Sequence, residues 1–321
     1  MKKILIISSN RLGDCILSSG LINYCKNQFD NCKITFICGK IPYDLFRYHS
    51  QLNRVFSLKK KKFSIHWFSL WYRVFFNIWE LVIDLRGSLI GFFLITKNIR
   101  IYRKSKLELQ HQVVSTSKLV SNKIYNPCLN LTKSENKKSF SKNIRYLKKF
   151  KLIGVSASTN WIGKQWPGEY FTELIGRLKK EKKFRDYKFI FLGSKQEKSD
   201  AELICKNFRN EEVINFVGKF NLYEIYYVLK ECNLFIGNDS GLMHFSAALN
   251  VPTIGLFGPS DIRQYRPWGK KTIAISTPET PEELMNNKQF SYKQKKSLML
   301  SLKASKVFKE IIKFVNQKNI L

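Results

Sequence analysis

Short runs of apolar residues recur along the chain, at 4–8, 34–38, 81–84, 152–156, 188–192, 213–217, 234–237, 253–257 and 272–275. They do not alternate with polar residues, so each reads as a strand buried on both faces. Between them lie segments with helical periodicity: 15–29, 169–181, 198–209, 223–232 and 242–249. A two-sided apolar strand followed by a helix belongs in a parallel sheet covered on both sides, which predicts an α/β chain. With 321 residues, two domains of roughly 150 residues each are expected. The stretch 132–151 breaks the rhythm, being rich in Lys, Ser and Asn and poor in large apolar residues up to Phe140. It reads as a linker or surface helix between two α/β halves, each opening on a buried strand, and a last helix is predicted over 303–316.

No stretch of about 18 uncharged apolar residues is present, so no transmembrane helix is expected. The nearest, 63–95, is interrupted by His66, Arg73, Glu80, Asp84 and Arg86. The apolar run at 4–7 is too short for a signal-peptide core, which places the chain in the cytoplasm. Seven cysteines with no C-x-x-C pair fit reduced, mostly buried thiols, and four histidines without paired spacing argue against zinc. Lys plus Arg exceed Asp plus Glu by 56 to 24, a formal charge of +32. A gene biased toward Lys, Asn and Ile explains the lysines but not the shortage of acids. A field of that sign attracts nucleic acid, anionic lipid head groups or phosphorylated substrates. Its densest run is the tetrad Lys59, Lys60, Lys61, Lys62.

In sheets of this kind ligands sit at the carboxyl ends of the strands. The first such loop runs Ser8-Ser9-Asn10-Arg11-Leu12-Gly13-Asp14. It is not a dinucleotide fingerprint, since only one glycine is present. Asp14 is either an acceptor of a substrate hydroxyl proton or a first-turn helix acid. The second loop carries Ser156-Ala157-Ser158-Thr159-Asn160 and Lys164-Gln165-Trp166-Pro167, where hydroxyls and a lysine suit a diphosphate. In the third, Glu197 follows Gly193-Ser194 and is either a ribose contact or a helix-start acid. The fourth is the most specific: Gly237-Asn238-Asp239-Ser240-Gly241-Leu242-Met243-His244. The free N–H groups at the start of the following helix would meet an anion. A carboxylate beside that anion makes sense if Asp239 faces sugar hydroxyls, or if it only caps the helix. His244 reads as a packed histidine or a contact. A further loop, Gly258-Pro259-Ser260-Asp261, lies beside it.

These motifs, in this order, resemble the heptosyltransferase family of bacterial lipopolysaccharide synthesis, glycosyltransferase family 9. The resemblance covers nearly the whole chain: the opening Lys3-Ile4-Leu5-Ile6-Ile7 with Gly13-Asp14, then Val82-Ile83-Asp84-Leu85-Arg86-Gly87, Lys164–Pro167, Val217-Gly218-Lys219 with Leu222, and Gly237–His244. It implies a GT-B fold, two Rossmann-like domains with parallel sheets facing a cleft: 1–148 for the acceptor and 149–321 for the nucleotide sugar. It also implies that the last helix returns to the N-terminal domain. By the same resemblance Asp14 is the general base. Ser158, Thr159, Lys164, Glu197, Asp239, Ser240, Gly241, Leu242, Met243 and His244 hold the donor, ADP-heptose. Transfer is inverting, with no cofactor and no metal, onto an anionic glycolipid acceptor at the inner membrane face. The chain departs from the family pattern in a longer Ser158–Lys164 loop, in the absence of cysteines from 291–300, and in its high charge. A nucleotide-sugar epimerase of similar fold and a basic nucleic-acid-binding protein are the competing readings. The latter leaves Lys164–Pro167 and Gly237–His244 unexplained. Trp67, Trp71, Phe75 and Trp79 recur every four residues, either as a core stripe or, beside the lysine tetrad, as an anchor on an anionic membrane.

Overall fold

Runs of Ile, Val, Leu and Phe bury both faces of their strands, and the strands pair in parallel wherever helices cover them. In the first unit, Met1–Glu135, β1 (Lys3–Ile7), β2 (Lys33–Cys38), β3 (Arg54–Ser57), β4 (Leu81–Asp84) and β5 (Ile99–Ile101) form one parallel sheet in the order β3-β2-β1-β4-β5. In the second, Asn136–Leu321, β6 (Lys151–Ser156), β7 (Tyr187–Phe191), β8 (Val213–Asn215), β9 (Leu234–Asn238), β10 (Thr253–Phe257) and β11 (Thr272–Ser276) form another, in the order β11-β10-β9-β6-β7-β8. The structure is a computed structural model and describes residues 1–58, 65–103, 109–132, 138–286, 291 and 296–321. The lysine tetrad 59–62 lies outside the described residues.

In both sheets the strand order reverses once, between β1 and β4 and between β6 and β9. Such a reversal splays the following helices to opposite faces and opens a crevice at the strand ends. Asp14 follows β1, Asp84 ends β4, Ser158 and Lys164 follow β6, and Asp239 follows β9.

Two expectations from the sequence are revised. The edge strands β3 and β5 were not expected: they are short and half-exposed, β3 opening on Arg54 and ending on Ser57 and β5 interrupted by Arg100, so they lack a continuous apolar run. The helix expected over 15–29 is two, Leu12–Leu17 and Gly20–Gln28. The Ser18 and Ser19 hydroxyls donate back to the carbonyls of Asp14 and Ile16, competing with the helical ladder. At Gly20 a Cβ would lie 2.1 Å from the Tyr125 carbonyl oxygen, so only glycine lets the chain pass there.

The helix Lys138–Leu147 packs against Leu222–Lys230 within the second unit. The last helix, Ala304–Lys318, lies in the second unit. Its apolar face, Val307, Ile311, Phe314 and Val315, is occupied in the core of the second, against Gly168–Lys180 and β11.

Of the aromatic stripe only Trp79 is fully buried, and the other three rings are partly buried against the core. Trp79 is 2 % exposed, and Trp67, Trp71 and Phe75 pack against the cluster of Leu5, Ile7, Leu70, Val74 and Val82. Among the described residues no helix is long and apolar enough to cross a membrane, and all seven cysteines are free thiols.

Candidate active site

The second unit's site starts from β9. Its last residue, Asn238, is fully buried and uses both ends of its amide. Its Nδ2 donates to the Ala157 carbonyl (2.6 Å) and its Oδ1 accepts from the Trp166 backbone N–H (3.0 Å). It thereby ties the loop after β6 to the end of β9. In the sequence Asn238 is only a member of its motif, with nothing to mark this role. Trp166, itself fully buried, donates from Nε1 to the Leu302 carbonyl (2.7 Å). Ser297 Oγ donates to the Gln165 carbonyl (2.6 Å), and the Leu298 amide to that of Gly163 (3.0 Å). The segment that presents Lys164 is thus clamped from both sides.

So placed, Lys164 Nζ lies 3.0 Å from Asp239 Oδ2. Ser260, from the loop after β10, donates its hydroxyl to the same oxygen at 2.7 Å. His244 Nε2 lies 3.6 Å from Asp239 Oδ1. Burial works against the Asp239 charge, but His244, Lys164 and Ser260 outweigh it and hold the carboxyl well below the usual carboxylate range. The motif alone does not explain a carboxylate beside an anion; in the fold Lys164 neutralises it in place. Ser260 sits in a loop to which the sequence assigns no part in the site. The signal that could have found it is strand order, since β10 neighbours β9.

Ser240 is the N-cap of the helix Gly241–Ala248, in extended conformation, and its hydroxyl makes no capping bond. Ser240 Oγ and His244 Nδ1 are buried polar atoms without a hydrogen-bond partner among the described residues. The first-turn amides of Gly241, Leu242 and Met243 have no acceptor within the helix. Unmet donors and acceptors, a helix N-terminus and a lysine are therefore gathered at the β6/β9 reversal. This arrangement suits an anion flanked by hydroxyl groups. The helix seats closely on its sheet: a Cβ at Gly255 would lie 2.5 Å from Met243 Sδ.

The other expected donor residues are engaged locally. Ser158 Oγ reaches Asp200 Oδ2 (3.3 Å), which also accepts from Gln165 Nε2 (3.0 Å). Gln165 and Asp200 line a cavity of about 380 Å³; neither was assigned from sequence. Thr159 Oγ1 donates to the Trp161 carbonyl (2.6 Å), closing a tight turn. Glu197 accepts from the Ser194 amide through Oε2 (2.6 Å) and completes a capping box, the helix-start alternative weighed for it.

In the first unit Asp14 stands in the first turn of Leu12–Leu17, half-buried, and Oδ2 accepts from Ser9 Oγ at 2.9 Å. Asp84 is fully buried, and its oxygens accept from the Arg86 amide (2.8 Å) and Ser88 Oγ (2.6 Å). Burial pushes its carboxyl up, against the pull of those two donors. Arg86 Nη1 reaches Asn10 Oδ1 at 3.4 Å, joining the β4 loop to the β1 loop that carries Asp14.

Among solved structures, the chain is similar to ADP-heptose lps heptosyltransferase II of E. coli. The TM-score is 0.74 at 18 % identity, over 99 % of this chain and 100 % of that one. The fold is therefore GT-B. Residues 84–296 match the sequence profile of glycosyltransferase family 9 (heptosyltransferase), and the chain belongs to that family, which makes it a glycosyltransferase. The lipooligosaccharide heptosyltransferase 2 of Campylobacter jejuni is 24 % identical over 85 % of this chain and 87 % of the relative. That of Haemophilus influenzae is 30 % identical over 44 % of this chain and 41 % of the relative.

Proposed function

We propose that the chain transfers a heptose from ADP-heptose to a lipopolysaccharide-core acceptor with inversion at the anomeric carbon. The observation that carries this reading is the Lys164–Asp239–Ser260–His244 cluster at the N-terminus of Gly241–Ala248. Its relatives, lipooligosaccharide heptosyltransferases by name, supply the sugar and the acceptor class. The E. coli structural neighbour, an ADP-heptose heptosyltransferase, supplies the ADP. Family membership sets aside the epimerase reading.

On this reading the leaving group is ADP. The acceptor oxygen attacks the anomeric carbon and forms the new C–O bond as the bond to the diphosphate oxygen breaks. The departing electron pair stays on that oxygen, where negative charge grows. Lys164 and the amides of Gly241, Leu242 and Met243 stabilise it, being preorganised in a largely dehydrated site. Asp239 meets sugar hydroxyls. Asp14 takes the acceptor's proton, and Ser9 orients it. Ser158, Thr159 and Glu197 sit at neighbouring strand ends as further donor contacts. The reading carries a cytoplasmic place, at the face of the membrane that holds the acceptor.

The test is turnover of ADP-heptose, and of GDP- and UDP-sugars, with a deacylated core acceptor, followed by nucleotide release and by the acceptor's gain in mass. ADP release coupled to one added heptose is expected. Equal or better turnover with a UDP- or GDP-sugar overturns the donor assignment.

A further inference from the structure

The helix Ile65–Val74 is apolar on the side that faces the core and also on the side that does not. Trp67, Leu70, Trp71 and Val74 pack inward. Phe68 and Tyr72 project outward, joined by Phe76, Leu89, Phe92 and Phe93, all six between 60 % and 77 % exposed. These side chains form one surface. Phe68 stacks near Trp71 (5.9 Å), Trp71 near Phe75 (4.3 Å), Phe75 near Phe76 (5.4 Å) and Tyr72 near Phe76 (6.0 Å). Trp71 Nε1 donates to the Phe93 carbonyl at 2.9 Å. Phe68, Leu89 and Phe93 line a common groove of about 880 Å³ with Arg86, whose guanidinium lies 4.9 Å over the Trp67 ring. A solvated helix face in a folded protein carries polar residues, and a contiguous apolar patch of this kind marks a contact.

Charge selects the partner. Residues 67–103 hold the cations Arg73, Arg86, Lys97, Arg100 and Arg103 and the acids Glu80 and Asp84. Glu80 is paired with Lys97 at 3.0 Å and Asp84 is fully buried, so neither acid of this segment stands free, and Arg86 lines the groove itself. The whole chain adds a field of +32. Rings that enter the headgroup layer beside cations that meet its phosphates are the chemistry of an anionic bilayer surface. We propose that this face docks on such a surface, through Phe68, Tyr72, Phe76, Leu89, Phe92 and Phe93, beside the partly buried Trp67, Trp71 and Phe75 that line the same groove. None of the residues placed in the transfer reaction takes part, so docking and transfer stand or fall separately.

The experiment is co-sedimentation of the full chain with vesicles of equal parts phosphatidylglycerol and phosphatidylcholine, and with phosphatidylcholine alone. The comparison is with a triple variant, Phe68→Ser, Phe76→Ser and Phe93→Ser. The native chain is expected to bind the anionic vesicles, to bind neutral ones less, and to release as salt screens the charge. Each ring removed should cost roughly tenfold in affinity, so the triple variant should lose about a thousandfold. Transfer to a deacylated acceptor and the melting temperature should be unchanged. If the triple variant melts early, Phe76→Ser alone, the most exposed of the six at 77 %, carries the comparison. Failure of the native chain to bind anionic vesicles overturns the proposal, as does full vesicle affinity in the variants. So does a native dimer that the variants dissolve, which would mean that a second copy covers the face.

Discussion

The pair Lys164–Asp239 offers the sharpest perturbation. The two groups lie 3.0 Å apart with side chains 20 % and 8 % exposed. Removing one partner of a fully buried pair costs about 3–5 kcal/mol. Here Lys164 is partly solvated and Asp239 keeps Ser260 and His244. Lys164→Met, which retains the apolar stem, should therefore destabilise by only about 2 kcal/mol. Asp239→Asn should cost about 1–2 kcal/mol, and the double variant less than the sum, with a coupling of about 1–2 kcal/mol. Binding separates the two residues. Lys164→Met loses a charge-assisted contact of roughly 1.5–3 kcal/mol, which weakens ADP by roughly tenfold to 150-fold. Asp239→Asn frees Lys164 and removes a carboxylate from beside the diphosphate, so bare ADP should bind up to about tenfold more tightly while sugar transfer collapses. Urea unfolding of the four proteins and calorimetric titration with ADP measure both arms. Additive single costs, together with unchanged ADP affinity in Lys164→Met, would refute the reasoning.

Asp14→Asn should lower turnover by about 10²–10⁴-fold with donor affinity nearly unchanged, in steady-state kinetics beside an ADP titration; an active variant would leave Asp14 a first-turn helix acid. Asn238→Ala strands the Trp166 N–H and the Ala157 carbonyl in the core, and should cost roughly 2–5 kcal/mol in denaturant unfolding; a loss under about 0.5 kcal/mol would mean the clamp is dispensable. The depressed Asp239 carboxyl stabilises the fold fully above about pH 4, where the unfolded carboxyl is ionised, and loses that contribution as the pH falls toward its folded value. Thermal melts from neutral pH down to about pH 3 should therefore show a larger acid loss in the native chain than in Asp239→Asn, and parallel curves would contradict this.

Both sheets, and the loops that carry Asp14, Lys164 and Asp239, were legible in the sequence. A central parallel strand must be apolar on both faces, and that constraint is written in contiguous residues. The edge strands β3 and β5 were not legible, because an edge needs no such run. Nor was the break at Ser18–Gly20, which depends on Tyr125, remote in sequence. Local chemistry left Asp14 and Glu197 each with two readings. For Glu197 the capping box with Ser194 engages one oxygen; Asp14 keeps both readings. Which residues meet Asp239 was decided only by strand order. Lys164 comes 75 positions earlier and Ser260 21 positions later, and neither separation has a periodicity that a sequence could display. The same holds for the aromatic segment. A repeat of four places Trp67, Trp71, Phe75 and Trp79 on one side, but when the opposite side is also apolar, periodicity cannot say which is buried. Packing against Leu5, Ile7 and Val82 turned the tryptophans inward and left Phe68, Tyr72 and Phe76 facing out, since the sheet offers one face to the helix and covers only the side chains that reach it.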